Sequence, residues 1–398
     1  MPLTPPDPST AVVMAGVPNT NKSLFHAMRF NVGDPAALVV TLGTPASAGR
    51  DPKPHRLLIL RDIEMDRARK SAMAHQVACP KDFEPDESTG GGLSGDRETA
   101  TAQALAEAIV RAGCTRVIAD RTLPFIYFAE MIRRGLSVEH DPDLGVMDRR
   151  AKDEQEIEHL REAQAMTERA IQRACEMIAG ATAGKGGVLH HDGQPLDAER
   201  VRFAIDAFLL ARGFVNPRSI VAAGPQGGDC HNLGEGPIYT SQPVIIDVFP
   251  QDRETKYNGD CTRTVVHGEI PDEIKKMHQV VCEAKAAATA AVRPGATGEQ
   301  VHEATADVIQ RAGYAMGFPN EHNPTTMPHG TGHGIGLDVH ETPLLDKKGP
   351  PLIVGDALTI EPGLYNHQLG GVRVEDMVIV TDDGCINLNA LHEQLRWD

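Results

Sequence analysis

The chain has 398 residues, 41% of them hydrophobic and 24% charged, which excludes a disordered or fibrous protein and leaves room for two or three domains. A formal net charge of −16 argues against nucleic acid and anionic membrane surfaces as partners. The seven cysteines form no Cys-x-x-Cys pair, and the sequence shows neither a signal-peptide pattern nor a membrane-length apolar run. We therefore expect a cytoplasmic protein that does not enter a membrane.

The first 150 residues alternate between strand and helix patterns. Short apolar runs predict strands over 36–42, 56–60 and 115–119. Apolar residues at helical spacing predict one helix between Asp96 and Gly113, with an acidic first turn and a glycine stop, and a second helix over 124–134. This alternation is typical of a layered α/β domain.

A loop rich in glycine and acidic residues, 81–95, interrupts this domain. Within it, Gly90, Gly92 and Gly95 match the G-x-G-x-x-G spacing of dinucleotide-binding proteins. Such a site needs a strand directly before the first glycine, whereas an acidic stretch precedes it here. We therefore interpret the segment as a flexible loop.

A polar, charged segment over 141–153 marks a predicted domain boundary near residue 150. The predicted domains are then 1–150 and 151–398. The second domain begins with a long predicted helix over about 152–179, because apolar residues recur along it at helical spacing.

The second domain contains a faint internal repeat. In each half, a Gly-Ala-Thr tripeptide precedes a helix, and a histidine segment and an apolar strand that carries an acid follow it. A second acid follows the first after 13 residues in one half and after 14 in the other. In the first half the tripeptide is 180–182, the helix begins at Asp197, the histidine is His231, and the acids are Asp247 and Asp260. In the second half the tripeptide is 295–297, the helix begins at Glu299, the histidine is His333, and the acids are Glu361 and Glu375. Two such halves facing each other would bring their carboxylates to a shared cleft.

Four acids in one cleft need positive charge beside them. Two carboxylates about 4 Å apart at an effective dielectric of about 20 repel each other by roughly 4 kcal/mol. The acids Asp247, Asp260, Glu361 and Glu375 must therefore protonate, pair with basic residues or bind cations. Two divalent cations would balance the four charges, and an oxygen-rich set with one imidazole suits Mn²⁺. Two metals that hold a hydroxide between them form a hydrolytic site.

The last of these acids also lies in a predicted strand. A strand is expected to run from Arg373 through Val380, which places Arg373 and Glu375 on one face and Val374 on the other.

Three histidines lie close together in a glycine-rich loop upstream of the last two acids. His329, His333 and His340 are separated by glycines that let the backbone approach a site closely. An isolated histidine is usually a satisfied polar residue, but three in this position favour a functional site. The absence of a His-Glu-x-x-His helix argues against a single-zinc protease.

These motifs together resemble the aminopeptidase P and prolidase family. The resemblance covers about 150–390 and is carried by Asp-Cys-Thr-Arg-Thr at 260–264, His-Gly-Thr-Gly-His at 329–333, Thr-Ile-Glu-Pro-Gly at 359–363 and Val-Arg-Val-Glu at 372–375. It implies a creatinase-type α/β domain over 1–150 and, over 151–398, an α+β catalytic domain of the "pita-bread" fold with an internal pseudo-twofold repeat. It also implies two divalent ions, with Mn²⁺ as first choice and Co²⁺ or Zn²⁺ as alternatives.

The resemblance assigns roles residue by residue. Carried over, the metal ligands are Asp247, Asp260, His333, Glu361 and Glu375. Asp260 and Glu375 would bridge the two ions, and Glu361 would also move a proton. His231 and His340 would line the substrate pocket and steady the tetrahedral intermediate, with His329 beside them. Arg373 would be positioned by the carboxylates or help to neutralise them.

One spacing departs from the family pattern. Asp247 and Asp260 stand 13 residues apart, whereas many relatives have a shorter link. Because strand side chains alternate, a hairpin with a turn two residues longer would still keep both acids on one face. The insertion therefore affects the predicted shape of the rim and not the ligand set.

The function that the resemblance implies is hydrolysis of an amino-terminal Xaa-Pro peptide bond by a metal-bridging hydroxide. The partner is then a peptide with proline in second position, and the family suggests a homodimer or a higher homo-oligomer. Four alternatives remain: a prolidase restricted to dipeptides, a methionine aminopeptidase, a metal-free creatinase-like hydrolase, and a catalytically inactive binding protein.

Overall fold

The structure, a computed structural model, describes residues 3–42, 53–86 and 91–397. The chain divides into two compact units, Met1–Arg149 and Arg150–Asp398. In the part of the chain that the structure describes, no helix has the length and apolarity that crossing a membrane requires.

The first unit is built around one mixed sheet. Its strands are β1 (Thr10–Gly16), β2 (Ala36–Leu42), β3 (Pro54–Ile59), β4 (Gln76–Ala78), β5 (Arg116–Ala119) and β6 (Ser137–His140). Its helices are α1 (Lys22–Met28), α2 (Met65–Ser71), α3 (Arg97–Arg111) and α4 (Phe125–Arg133), and α5 (Met147–Arg150) stands at the boundary. The sheet order is β4-β3-β2-β1-β5-β6.

Helices cover both faces of this sheet. Along β1, Val13 packs in the cluster that contains α3 and α4, while Met14 packs in the cluster that contains α1 and α2. The predicted α/β layering is thus confirmed, as are the predicted strands and helices of this region to within a few residues. Within the predicted loop 81–95, residues 87–90, which include Gly90, lie outside the described residues.

The second unit contains the longer series of elements. Its helices are α6 (Glu154–Ala179), α7 (Ala198–Leu210), α8 (Asp272–Ala291) and α9 (Gly298–Arg311). Its first strands are β7 (Thr182–Ala183), β8 (Leu189–His191), β9 (Gln194–Pro195), β10 (Phe214–Val215), β11 (Ser219–Ala223), β12 (Pro243–Val248), β13 (Gln251–Asp252) and β14 (Cys261–Val266). Its later strands are β15 (Ala315–Met316), β16 (Thr325–Met327), β17 (Gly332–Gly334), β18 (Glu341–Leu345), β19 (Ala357–Ile360), β20 (Gly363–Asn366), β21 (Gly370–Arg373), β22 (Asp376–Val380) and β23 (Cys385–Asn387).

The strands of the second unit form several sheets. Three of them have the orders β11-β12-β14, β15-β16-β20-β21 and β18-β17-β19-β22-β23. Helix α6 begins as the sequence predicts, because Asp153 and Glu156 form a reciprocal capping box at its start.

The internal repeat is visible in two antiparallel strand pairs, β12 with β14 and β19 with β22. In the first pair, Val244 and Ile246 pack against α6 and α7. In the second pair, Leu358 and Ile360 pack in a cluster with residues of α8 and α9. Because strand side chains alternate, Asp247 of β12 and Thr359 of β19 lie on the opposite faces of their strands from these residues.

One predicted strand is wrong in its extent. The expected strand from Arg373 through Val380 is interrupted, since β21 ends at Arg373 and β22 begins at Asp376. The cause is a change of sheet: β21 pairs with β20, whereas β22 pairs with β19. Between them the backbone crosses β14, where the Glu375 N–H donates to the Thr262 carbonyl at 3.1 Å. The predicted alternation of side chains is kept between the two strands, because Val374 points into the core, away from the face of Arg373 and Glu375.

Candidate active site

A cavity of about 380 Å³ in the second unit brings the predicted site residues together. All nine line it: His231, Asp247, Asp260, His329, His333, His340, Glu361, Arg373 and Glu375. They come from both halves of the repeat, so the cavity lies where the two halves meet.

The first two acids are placed by the hairpin of β12 and β14. Asp247 pairs directly with Thr262, and Asp260 stands two residues before Thr262. Since residues two apart on a strand share a face, Asp260 and Asp247 point to the same side. Both are buried. The longer link between them thus keeps both acids on one face, as the sequence predicts.

The other two acids are placed by the equivalent strand pair. Glu361 follows β19 directly, and Glu375 immediately precedes β22. Asp376 turns to the opposite side, where it pairs with Arg263 and with Lys285 of α8. Glu375 therefore faces the cavity, and the Thr262 hydroxyl donates a hydrogen bond to its Oε2 at 2.7 Å.

His333 lies on β17 among these acids. Its Nε2 lies 3.4 Å from Glu361 Oε1 and 3.8 Å from Asp260 Oδ2, and its Nδ1 lies 3.1 Å from the Gly334 carbonyl. A carbonyl only accepts, so the hydrogen belongs on Nδ1 and the Nε2 lone pair faces the carboxylates. The neighbouring Gly332 permits this position, because a Cβ there would stand 2.0 Å from the Thr359 carbonyl oxygen.

The remaining histidines lie at different depths in the cavity. The ring of His340, which is exposed, stands edge-on to His333 with centroids 4.4 Å apart. His329 is half-buried, and its Nε2 accepts a hydrogen bond from the Tyr365 hydroxyl at 2.8 Å. Burial, with Arg373 as a second cause, lowers the pKa of His329 to about 4. His231 is exposed on the loop that precedes β12.

Arg373 is the buried cation of the site. It donates to Asp247 Oδ2 at 2.6 Å, to the Tyr365 hydroxyl at 2.9 Å and to the Thr262 hydroxyl at 3.1 Å. Sequence reasoning predicted its proximity to the carboxylates but not Tyr365 and Thr262 as members of the site. Thr262 lies inside the 260–264 motif, but the sequence alone gave neither residue a role, because the strand pairing that brings them to Arg373 was not yet known.

The site without metal carries more negative charge than Arg373 can balance. Burial, followed by repulsion from Glu375, raises the pKa of Asp260 well above its usual range. Burial and the charge of Glu361 do the same to the pKa of Glu375. Burial also raises the pKa of Glu361 to about 7. Burial and the neighbouring His340 lower the pKa of His333 to about 4, so the imidazole stays neutral.

Three observations fit a divalent-metal site here. Asp260, His333 and Glu375 each offer a ligand atom, and the three atoms lie within 4.8 Å of one another. Asp247 Oδ1 is buried and has no hydrogen-bond partner among the residues that the structure describes. The lone pair of His333 Nε2 faces two carboxylate oxygens, an arrangement that a cation between them would stabilise. Carboxylate oxygens with one imidazole are suitable ligands for a borderline-hard divalent ion.

Comparison with known proteins identifies relatives of this chain. The profile of metallopeptidase family M24 matches residues 158–382, more than half of the chain. A protein of Mycobacterium tuberculosis described as a probable dipeptidase, PepE, is 35% identical over 256 residues, which are 62% of this chain and 60% of that protein. The Xaa-Pro dipeptidase of Pyrococcus furiosus is 29% identical over 248 residues, 61% of this chain and 64% of that protein. The matched region thus spans less than two thirds of these relatives' length.

Solved structures share the fold over nearly the whole chain. The Xaa-Pro dipeptidase of Bacillus anthracis has a TM-score of 0.76 at 22% identity, covering 97% of this chain and 94% of that one. The X-Pro aminopeptidase of Thermotoga maritima also has a TM-score of 0.76, at 21% identity, covering 97% and 96%.

Proposed function

The chain belongs to metallopeptidase family M24, and from that premise we propose that it hydrolyses the bond between an amino-terminal residue and a following proline. Membership confirms the resemblance to the aminopeptidase P and prolidase family, and the structural relatives confirm the pita-bread fold with its N-terminal domain. The observation that carries the proposal is the convergence of four carboxylates and one neutral imidazole in a single cavity with one buried guanidinium.

Two divalent ions are proposed to be held by Asp247, Asp260, His333, Glu361 and Glu375, with Mn²⁺ as first choice. Asp260 and Glu375 would each offer carboxylate oxygens to the ions, and together with His333 they form a group of donors whose ligand atoms lie within 4.8 Å of one another. When bound, such ions lower the pKa of a water molecule and polarise a substrate carbonyl. The intact donor set supports this over a metal-free creatinase-like hydrolase or an inactive binding protein.

We assign separate roles in the reaction to His340, Glu361 and Arg373. His340, exposed beside His333, is proposed to donate a hydrogen bond to the oxygen that gains charge as the carbonyl is attacked. Glu361 is proposed to carry a proton from the attacking water to the leaving proline nitrogen. Arg373 orients Asp247 through the 2.6 Å bond and holds Tyr365 against His329.

The wall of the cavity supports proline after the scissile bond. Phe249, Val339 and Leu344 line it with apolar surface, which suits a pyrrolidine ring. A dipeptide-restricted prolidase is the second candidate, favoured by the relatives described as dipeptidases. The two candidates share the chemistry and differ in the length of peptide that the site accepts.

Purified protein supplied with Mn²⁺ is expected to cleave Ala-Pro with a kcat/KM at least about tenfold above that for Ala-Ala, because the apolar wall favours the ring. Chelation should abolish the activity, and Mn²⁺ added in excess should restore it. Release of alanine is measured by coupled amino-acid analysis. Cleavage that persists through chelation, or equal rates on the two dipeptides, would contradict the proposal.

A further inference from the structure

A fully buried glutamine, Gln164, projects from α6 onto the backbone of Asp260. Its Oε1 accepts a hydrogen bond from the Asp260 N–H at 2.8 Å, and its Nε2 donates to the Asp260 carbonyl at 2.7 Å. Because an N–H only donates and a carbonyl only accepts, these two bonds fix the orientation of the side-chain amide. Gln164 therefore binds both backbone groups of Asp260, as a neighbouring strand would.

The backbone of Asp260 needs these partners because the sheet does not supply them. β14 begins at Cys261 and stands at the end of its sheet, with β12 on one side only. The Gly259 N–H donates to the carbonyl of Pro250, which follows β12, so the backbone groups of the next residue, Asp260, point away from β12. A buried backbone group without a partner costs about 1–3 kcal/mol. Gln164 thus completes the edge of β14 at the position of the acid.

A second amide continues this contact to the other half of the repeat. Gln164 Nε2 also donates to Asn389 Oδ1 at 3.0 Å, and the same oxygen accepts the Met377 N–H at 2.8 Å. Met377 lies on β22, two residues after Glu375. Two side-chain amides therefore connect the backbone of Asp260 with the strand that follows Glu375.

Asp260 and Glu375 come from different halves of the repeat and must stay close together if one cation is to contact both. Their ligand atoms, with one of His333, lie within 4.8 Å of one another. A set of ligands works well only when it is held within about 0.5 Å of its binding geometry. Gln164 and Asn389 do not line the cavity, so they can act on the backbones that carry the acids without touching a substrate.

We propose that Gln164 and Asn389 are positioning residues, which hold the Asp260 and Glu375 carboxylates at the spacing that joint metal binding requires. This inference rests on the proposed function and deepens it by assigning residues outside the cavity to the metal site. Because neither amide contacts the peptide, their loss acts on metal affinity and leaves KM nearly unchanged when Mn²⁺ is saturating.

Gln164→Met tests the inference, because methionine has a similar length and no amide. Calorimetric titration of the metal-free variant with Mn²⁺ should show a Kd raised by about 10- to 100-fold for at least one ion, as is typical when a group that orients a metal ligand is lost. At saturating Mn²⁺ the KM for Ala-Pro should change by less than about twofold. Thermal unfolding in chelator shows whether the metal-free variant is folded.

Asn389→Ala is the second variant, and it leaves both bonds between Gln164 and Asp260 in place. Asn389 is only half-buried, so this change threatens the fold less. It should also weaken Mn²⁺ binding, by a smaller factor than Gln164→Met. The double variant should lose less affinity than the two single losses combined, because both residues act through one chain of hydrogen bonds.

Gln172→Met is the matched control, since it makes the same substitution at an exposed position of α6. It should keep the Mn²⁺ affinity of the wild type. Wild-type affinity in folded Gln164→Met, or in Asn389→Ala, would overturn the inference while the proposed function stands. If the wild-type protein itself binds no Mn²⁺ and does not cleave Ala-Pro, the proposed function fails.

Discussion

Asp260→Asn is expected to lower kcat/KM for an Xaa-Pro peptide by at least about 10³-fold, equivalent to about 4 kcal/mol of transition-state stabilisation. Asp260 is buried, its Oδ2 stands 3.8 Å from His333 Nε2, and with His333 and Glu375 it offers ligand atoms within 4.8 Å of one another. Asparagine keeps the shape but offers a neutral oxygen, so the proposed metal site would lose one negative charge and one anionic ligand. Steady-state kinetics with Mn²⁺ measures the loss, and metal analysis should show a lower metal content.

The same substitution should leave the metal-free protein folded. Burial and Glu375 raise the pKa of Asp260, which means that the metal-free fold already favours the neutral carboxyl that asparagine imitates. Thermal unfolding in chelator should therefore change little, whereas stabilisation by added Mn²⁺ should be much reduced. Asp307→Asn, on the exposed face of α9, is the control and should keep full activity. Full activity in Asp260→Asn would contradict its assignment as a ligand.

Arg373→Gln is expected to lower the free energy of unfolding of the metal-free protein by about 3–5 kcal/mol. The substitution removes a buried cation and leaves Asp247 without its 2.6 Å partner, in a cavity that Asp260, Glu361 and Glu375 also line. Arg373→Lys should lower the free energy of unfolding by less, because lysine keeps the positive charge. Some loss is still expected, because lysine cannot reach Asp247, Tyr365 and Thr262 together. Urea unfolding in chelator measures both.

Arg161→Gln, on the exposed side of α6, supplies the control. Its pair with Glu158 is exposed, so the change should cost less than about 0.5 kcal/mol. A loss below about 1 kcal/mol in Arg373→Gln would show that the carboxylates do not depend on this guanidinium.

Local patterns were sufficient to predict most of the elements that hold the site. Apolar residues at helical spacing predicted α6, and apolar runs that end at an acid predicted β12 and β19. Alternation then places Arg373 and Glu375 on one face, even though the predicted strand through them is interrupted. These are short-range properties of the chain, and they do not depend on contacts between residues distant in sequence.

Contacts between distant parts of the chain were not predictable in this way. Tyr365 joins His329 to Arg373 because β20 pairs with β21 in one particular register. Thr262 reaches Glu375 across 113 residues of sequence. The contacts of these residues follow from strand pairing, which local sequence patterns do not reveal.

Metal stoichiometry tests the central claim most directly, namely that acids from both halves of the repeat share two divalent ions. Metal-free protein is titrated with Mn²⁺ in a calorimeter, and the bound metal is counted by elemental analysis after dialysis. We expect two ions per chain in the wild type and fewer than two in Asp260→Asn. A wild-type chain that binds one ion or none at saturating Mn²⁺, while it still cleaves Ala-Pro, would contradict the claim.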